Sequence, residues 1–92
     1  MNNQADKKIM EQLPVPRIEI YQILGYNGGF AITRILLWRC DIVNASGKRE
    51  TGSLRSIEKI YAKEAANEWK ERTHWPVFDL GRQESYDDYP RG

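Results

Sequence analysis

At 92 residues, the chain is long enough for one domain, and a domain of this size buries roughly 60 to 65% of the surface that its unfolded form exposes. Hydrophobic residues make up 40% and charged residues 29% of the chain, which is typical of globular proteins and excludes wholesale disorder. Fourteen basic and thirteen acidic residues leave a net charge of +1, too little to draw the whole molecule toward nucleic acid.

Three features predict a reducing, cytoplasmic location. Cys40 is the only cysteine, so an internal disulfide is excluded. The longest uncharged apolar run covers residues 35 to 38, whereas a membrane span needs about 20 residues. The start of the chain, MNNQADKK, lacks the apolar run of a signal peptide. We therefore expect a cytoplasmic protein that does not enter a membrane.

The first half of the chain predicts a short helix and a β-hairpin. Residues 6 to 13, DKKIMEQL, have helical spacing, and Pro14 ends that helix. PVPRIEIYQIL alternates as a half-buried strand does, and GYNGG supplies the turn residues of a hairpin. FAITRILLWRCDIV is the returning strand, with a bend or bulge expected near residues 33 to 35 because the strand is so long. Its expected core face consists of Phe30, Ile32, Leu36, Trp38, Cys40 and Ile42.

The second half predicts an edge strand, a long helix and a fourth strand. NASG forms a turn, and the charged segment KRETGSLR suits a sheet edge. Ser56 is the expected cap of a helix that runs to about Thr73. The apolar stripe predicted to cover the sheet consists of Ile57, Ile60, Tyr61, Ala65 and Trp69. VFDL is a short extended segment that can pair back onto the sheet.

These elements predict an α+β fold, with a three- or four-stranded antiparallel sheet packed by one long helix and preceded by a short N-terminal helix. Residues 1 to 80 form the predicted single domain. Residues 81 to 92 are polar and form the predicted C-terminal tail.

No residue pattern indicates catalysis, a metal or another cofactor. Cys40 is the only cysteine and His74 the only histidine, so a Cys–His nucleophilic dyad would have to use this pair. Cys40, however, lies on the apolar face of its strand, where a free cysteine is usually a small buried hydrophobe. One cysteine and one histidine cannot make a zinc site. The sequence therefore predicts no catalytic residue, no metal and no small-molecule substrate, with a thiol enzyme based on Cys40 as a minor alternative.

Basic residues cluster between positions 48 and 63, where five cations stand against two carboxylates. One interpretation makes them a connected contact surface, to which Trp75 adds an exposed aromatic anchor. The other makes Ser56 a simple helix cap and Arg55 a solvated edge residue. The predicted partner-binding residues are Lys48, Arg49, Arg55, Lys59, Lys63 and Trp75.

The organisation of the chain resembles that of the small phage-encoded anti-CRISPR proteins, among them inhibitors of the type I-F surveillance (Csy) complex. The resemblance rests on the MNNQADKK start, the hairpin around GYNGG and the single long helix SIEKIYAKEAANEWKERTHW. It implies a phage protein in the cytoplasm of a host bacterium that is not an enzyme. Such a protein binds the Cas subunits or the guide RNA of the effector and prevents target DNA from hybridising.

Family members of this kind often carry strongly acidic surfaces that mimic DNA. The chain lacks such a surface, so wedging by a mixed-charge surface is expected instead. The alternative is a small nucleic-acid-binding module or regulator that uses the basic residues between positions 48 and 63, with Trp75 for stacking.

Overall fold

A computed structural model describes residues 13–27 and 33–87 of the chain. Its elements are β1 (Arg17–Asn27), β2 (Thr33–Val43), β3 (Arg49–Thr51), α1 (Lys59–Thr73), β4 (Val77–Arg82) and a 3-10 helix (Glu84–Tyr86). The four strands form one sheet in the order β3-β2-β1-β4. The predicted N-terminal helix over residues 6 to 13 lies outside the described residues, apart from Leu13.

The hairpin of β1 and β2 is the centre of the fold. Its ladder runs without a shift in register from Arg17 opposite Val43 to Asn27 opposite Thr33. The ladder therefore contains no bulge near residues 33 to 35, where a bend or bulge was predicted. Because β1 is as long as β2, continuous pairing supports the long strand without a bulge.

The sheet is mixed, so the predicted antiparallel sheet is wrong in one respect. Strand β4 pairs with β1 in parallel, with Val77 opposite Ile18 at the start of both strands. The physical reason is α1, which carries the chain back to the beginning of β1, as a crossover helix does between parallel strands. The fourth strand itself and the edge position of β3 agree with the sequence predictions.

The two faces of the sheet bury separate groups of apolar residues. Ile18, Ile20, Cys40 and Ile42 face α1 and meet its Ala62 and Ala66, and Trp38, Trp69, Trp75 and Val77 pack around them. Tyr21, Ile23 and Leu37 lie on the opposite face and are joined by Ile35, Leu80 and Tyr86. Since alternate residues of a strand point to opposite faces, β1 and β2 are apolar on both sides.

Helix α1 contacts the sheet through Ala62 and Ala66 and through only part of the predicted stripe. Ala62 and Ala66, four residues apart, are its buried positions. Ile57, Ile60 and Tyr61 from the predicted stripe are exposed, while Ala65 and Trp69 are half-buried at the core. The helix can pack against the sheet where it presents only methyl groups, and Ile57, Ile60 and Tyr61 are left exposed while Trp69 packs at the edge of this contact.

The helix begins later than predicted. Its N-cap is Glu58, which makes no side-chain capping bond, and Ser56 instead accepts a hydrogen bond from the backbone N–H of Glu58 at 3.1 Å. The backbones of Ser56 and Trp38 exchange two hydrogen bonds, of 2.7 and 3.1 Å. Ser56 is therefore held against β2 and does not cap the helix.

The C-terminal boundary also differs from the sequence interpretation. Gly81 and Arg82 belong to β4, and the segment after them packs on the sheet instead of forming a tail. The ring of Tyr86 meets that of Tyr21 edge to face, with centroids 4.7 Å apart. The carboxylate of Asp87 accepts a hydrogen bond from the backbone N–H of Leu24 at 2.9 Å. Residues 81 to 87 are thus part of the domain.

Candidate functional site

Four large apolar side chains are exposed around the start of α1. They are Leu54 at 88% exposure, Ile57 at 69%, Ile60 at 48% and Tyr61 at 55%. We call this set the helix-start surface. Its residues lie in the loop that follows β3 and in the first turn of the helix. Exposed apolar residues grouped in this way mark interaction sites more often than isolated ones do.

The loop that carries Leu54 and Ile57 is fixed to the sheet. Ser56 pairs with Trp38 of β2, and Gly52 donates its N–H to the carbonyl oxygen of Cys40 at 2.8 Å. The side chain of Ser53 accepts a hydrogen bond from the Cys40 N–H at 2.9 Å. Leu36, earlier in β2 and predicted for the core face, is also exposed, at 45%. The apolar side chains are therefore presented by a loop with defined backbone contacts.

Lys59 joins the helix-start surface to the sheet. Its ammonium group lies 2.5 Å from the Asp79 carboxylate on β4 and 4.6 Å from the centroid of the Trp38 ring. An ammonium group over an aromatic face is attracted by the negative face of the ring. This predicted contact residue already has two partners within the chain, so its position is set without a ligand.

Arg49 lies on the other face of the sheet from α1, within a cluster of ionised side chains. Its guanidinium donates to Glu19 at 2.7 Å, to Asp41 at 3.1 Å and to the Tyr86 hydroxyl at 2.6 Å. Arg17 binds Glu19 from the other side at 2.5 Å. We call Arg17, Glu19, Arg39, Asp41 and Arg49 the arginine–carboxylate cluster.

The arginine–carboxylate cluster is an ionic network in which both carboxylates are paired with arginines. Glu19 and Asp41 are buried and lie opposite each other in the β1–β2 ladder. Burial alone would lower the pKa of Arg49, but its hydrogen bond to Glu19 and the charge of Glu19 raise that pKa well above its ordinary value. Because each carboxylate is neutralised by arginine, the cluster acts as structural support for the sheet.

The remaining predicted contact residues lie in three different settings. Lys48 is exposed in the turn between β2 and β3, and Lys63 is exposed on α1. Arg55 is exposed in the loop before α1. Trp75, predicted as an exposed anchor, is half-buried and packs against the helix-side core. The reason is its place directly after α1, where the chain returns to the sheet.

The structure therefore does not assemble all the predicted cations into one surface. Arg55, Lys59 and Lys63 accompany the helix-start surface, whereas Arg49 is engaged on the opposite face. The sequence interpretation missed Leu54 and placed Ile57, Ile60 and Tyr61 in the core. The spacing of Ala62 and Ala66 was the available signal, because a small-residue face is what allows a helix to approach a sheet closely.

The thiol of Cys40 is poorly suited to nucleophilic chemistry. Its side chain is fully buried, and burial, together with the charges of Asp41 and Glu19, raises its pKa to about 12. The thiolate is the nucleophilic form, and it is scarce at neutral pH when the pKa is this high. His74 is exposed at the C-terminal cap of α1, with a positive φ of 61°.

Within residues 13–27 and 33–87, no group of three or more His, Cys, Asp or Glu side chains is placed to hold a metal ion. No helix in that part of the chain is both long and apolar enough to cross a bilayer. Comparisons with protein-family models, curated proteins and solved structures find no match to the chain.

Proposed function

We propose that this chain is a non-enzymatic interaction protein that binds a partner protein through the helix-start surface. The observation that carries the proposal is that α1 buries alanines while the large apolar side chains beside its start remain exposed. Apolar area left in water is unfavourable by about 25 cal/mol per Å², and a partner that covers it recovers that free energy. A protein surface is the natural cover for aliphatic side chains.

The proposed partner is a CRISPR–Cas surveillance ribonucleoprotein of type I-F, and the proposed effect is that target DNA no longer hybridises with the guide RNA. This assignment comes from the resemblance in organisation. The helix-start surface supports docking on a Cas protein subunit in preference to the guide RNA, since leucine and isoleucine gain little against a phosphate backbone. The host cytoplasm is the compartment in which this partner would be met.

A binding assay with the purified type I-F complex tests the proposal. The immobilised chain is compared with a Leu54→Ser/Ile57→Ser variant and with Val15→Ser, a matched change at an exposed apolar residue outside the helix-start surface. We expect the wild type and Val15→Ser to retain the complex and the double variant to lose it. Circular dichroism checks that all three are folded.

The outcomes separate the parts of the proposal. If the wild type retains no complex, the CRISPR partner is wrong. If the double variant binds as well as the wild type, the helix-start surface is not the contact.

Binding to naked RNA or DNA that weakens steeply with salt would favour the nucleic-acid module instead. Lys48 and Lys63 would then be the first residues to replace. Both are exposed, and neither forms an ion pair with another residue in the described part of the chain.

A further inference from the structure

We infer that the partner supplies an extended segment, which joins the sheet as an added strand along β2, next to the helix-start surface. The inference rests on the proposed function as an interaction protein and names how the partner is recognised. It does not depend on whether that partner belongs to a CRISPR–Cas complex. We call the outer side of β2 around Leu36, from residue 35 to residue 37, the β2 edge.

The backbone of Leu36 points out of the sheet, away from β1. Two residues further along β2, the N–H and C=O of Trp38 exchange hydrogen bonds of 2.7 and 3.1 Å with Ser56 on the outer side. The carbonyl oxygen of Cys40 points the same way and accepts a hydrogen bond from the Gly52 N–H at 2.8 Å. Since the backbone groups of alternate residues in an antiparallel strand share one direction, Leu36 also directs its N–H and C=O outward.

The other side of the hairpin is closed at the same level. Leu24 lies opposite Leu36 in the ladder, and its N–H donates to the Asp87 carboxylate at 2.9 Å. Two residues earlier, the carbonyl oxygen of Gln22 accepts a hydrogen bond from the Gln83 N–H at 2.8 Å. Within the described residues, the N–H and C=O of Leu36 have no such partner. The β2 edge therefore still offers a donor and an acceptor to an incoming strand.

The two outer strands of the sheet are less suited to receive a strand. Strand β3 has three residues, all of them exposed, and the pairing of β4 shifts in register opposite Ile20 and Tyr21. In β4, Gly81 has a positive φ of 66°. Short edge strands and bulges keep a sheet edge from pairing with another chain. The β2 edge has neither device, because Ile35 and Leu37 are apolar and lie in a ladder without a shift.

An added strand would continue the row that residues 52 to 56 form along β2. That row ends beside Trp38, and Ile57 follows it at 69% exposure. The side chain of Leu36 lies on the same face of the sheet as that of Trp38, the face that packs against α1. Alternate apolar side chains of the added segment would therefore cover Leu36 and Ile57 while its backbone bonds to Leu36.

The backbone groups of the β2 edge select a strand over other kinds of occupant. An α-helix uses its own N–H and C=O groups internally, so it cannot pair with the edge. A phosphate backbone offers acceptors but no N–H donor for the carbonyl oxygen of Leu36. An extended peptide segment offers both groups at the spacing of the sheet, and this is how peptides add to exposed sheet edges.

A second copy of the chain fits the β2 edge less well. With Leu36 opposite the Leu36 of the copy, a two-fold axis sets Trp38 of each chain opposite Arg34 of the other. Ser56, which is already bonded to that Trp38, would then occupy the place of the facing strand. A separate segment carries no such row and can continue from the β2 edge onto the helix-start surface.

Hydrogen exchange of the free full chain, followed by NMR, tests whether the β2 edge is open. We expect the amide of Leu36 to exchange at least about ten-fold faster than those of Ile35 and Leu37, whose N–H groups point toward β1. Slow exchange at Leu36 would mean that another part of the chain or a second copy already covers the edge. Equally fast exchange at all three would mean that β2 has no stable edge there. Either result would overturn the inference.

Random peptides of about ten residues, displayed on phage, are the probe for the added strand. Peptides enriched on the immobilised chain are synthesised, and fluorescence anisotropy gives their affinities. We expect the enriched sequences to carry apolar residues at alternate positions and their binding to protect the Leu36 amide from exchange. If no peptide is enriched, or if the bound peptides leave Leu36 unprotected, the inference is wrong.

Leu36→Pro and Leu36→Val are a matched pair of variants. Proline removes the outward N–H of residue 36 but no hydrogen bond to β1, whereas valine keeps the N–H and is similar in size. Leu36→Pro should weaken peptide binding about ten-fold or more, and Leu36→Val by less than about two-fold. Equal binding by the two folded variants would show that the backbone of the β2 edge is not the contact. Circular dichroism checks folding, and if Leu36→Pro is unfolded, amide protection in the wild type decides.

The type I-F complex separates this inference from the proposed function. Retention of the complex by Leu36→Pro at the wild-type level, with loss by Leu54→Ser/Ile57→Ser, would reject the added strand and leave the proposed function in place. Peptide binding that protects Leu36, with no retention of the complex by the wild type, would reject the proposed CRISPR partner alone.

Discussion

Two neighbouring cations in the turn and edge strand have unequal roles. Lys48 is exposed, whereas the adjacent Arg49 reaches two buried carboxylates and a tyrosine hydroxyl. A sequence shows both as basic residues in a polar strand. The difference arises because Glu19 and Asp41 lie on other strands and are brought together only by the register of the sheet.

Replacement of Arg49 should therefore destabilise the fold. Arg49→Ala leaves the buried Glu19 and Asp41 with fewer donors, and we expect the free energy of unfolding to fall by about 2 kcal/mol. Lys48→Ala is the matched control and should change it by less than about 0.5 kcal/mol. Urea unfolding monitored by circular dichroism measures both. Equal, small effects would mean that the arginine–carboxylate cluster is not a support of the sheet.

At the level of elements, the sequence predicted most of the secondary structure but misassigned the face of α1 that packs on the sheet. The hairpin, the edge strand, the long helix and the fourth strand all follow from turn residues and periodicity. The parallel direction of β4 did not follow, because it depends on where α1 delivers the chain.

The site was predicted less well than the fold. Periodicity showed that α1 has an apolar stripe, but the size of the side chains favoured Ile57, Ile60 and Tyr61 as the inward residues. The packing distance between helix and sheet decides this question, and it is set by tertiary contacts. Ala62 and Ala66 fit that distance, so the larger residues nearby became the exposed surface.

The contact of α1 with the sheet through Ala62 and Ala66 gives a prediction at the level of elements. Ala66 of α1 is 1% exposed and packs against the core residues of the sheet. Ala66→Leu should lower the free energy of unfolding by about 2 kcal/mol, because the added atoms have no space. Asn67→Leu, at the neighbouring exposed position, adds a leucine to the same helix and should have little effect. If the two variants were equally stable, the helix would not be fixed by its alanine contacts.

In the described part of the chain, the sheet is apolar on both faces, and the α-helix α1 covers one of them. The face opposite α1 is closed by Leu80 and Tyr86 at the C-terminal side and by the arginine–carboxylate cluster. This arrangement buries ionisable groups on one face and a thiol on the other. Stability should therefore depend on pH in a way that the composition alone does not reveal.

The buried thiol and tyrosines predict a loss of stability at alkaline pH. Burial, followed by the charges of Asp41 and Glu19, raises the pKa of Cys40 from 9.0 to about 12. Burial, followed by the charge of Glu19, raises the pKa of Tyr86 from 10.0 to about 12. Burial and its hydrogen bond to Asp41 raise the pKa of Tyr21 well above 10.0. In each case the folded state holds the proton more tightly than the unfolded state does.

The sign of the effect follows from proton linkage. Below pH 9 both states keep these protons, and the stabilising contribution is fully present. Above pH 9 the unfolded thiol ionises first, and above pH 10 the unfolded tyrosines follow, so the free energy of unfolding falls at least until Cys40 and Tyr86 ionise in the folded state near pH 12. Urea unfolding at pH 8, 9, 10 and 11 measures this slope. Cys40→Ala should delay the onset from about pH 9 to about pH 10, and Tyr86→Phe should make the fall above pH 10 shallower, whatever the variants' stabilities at pH 8. A slope that neither substitution changes would mean that other groups, such as the lysines, control the alkaline transition.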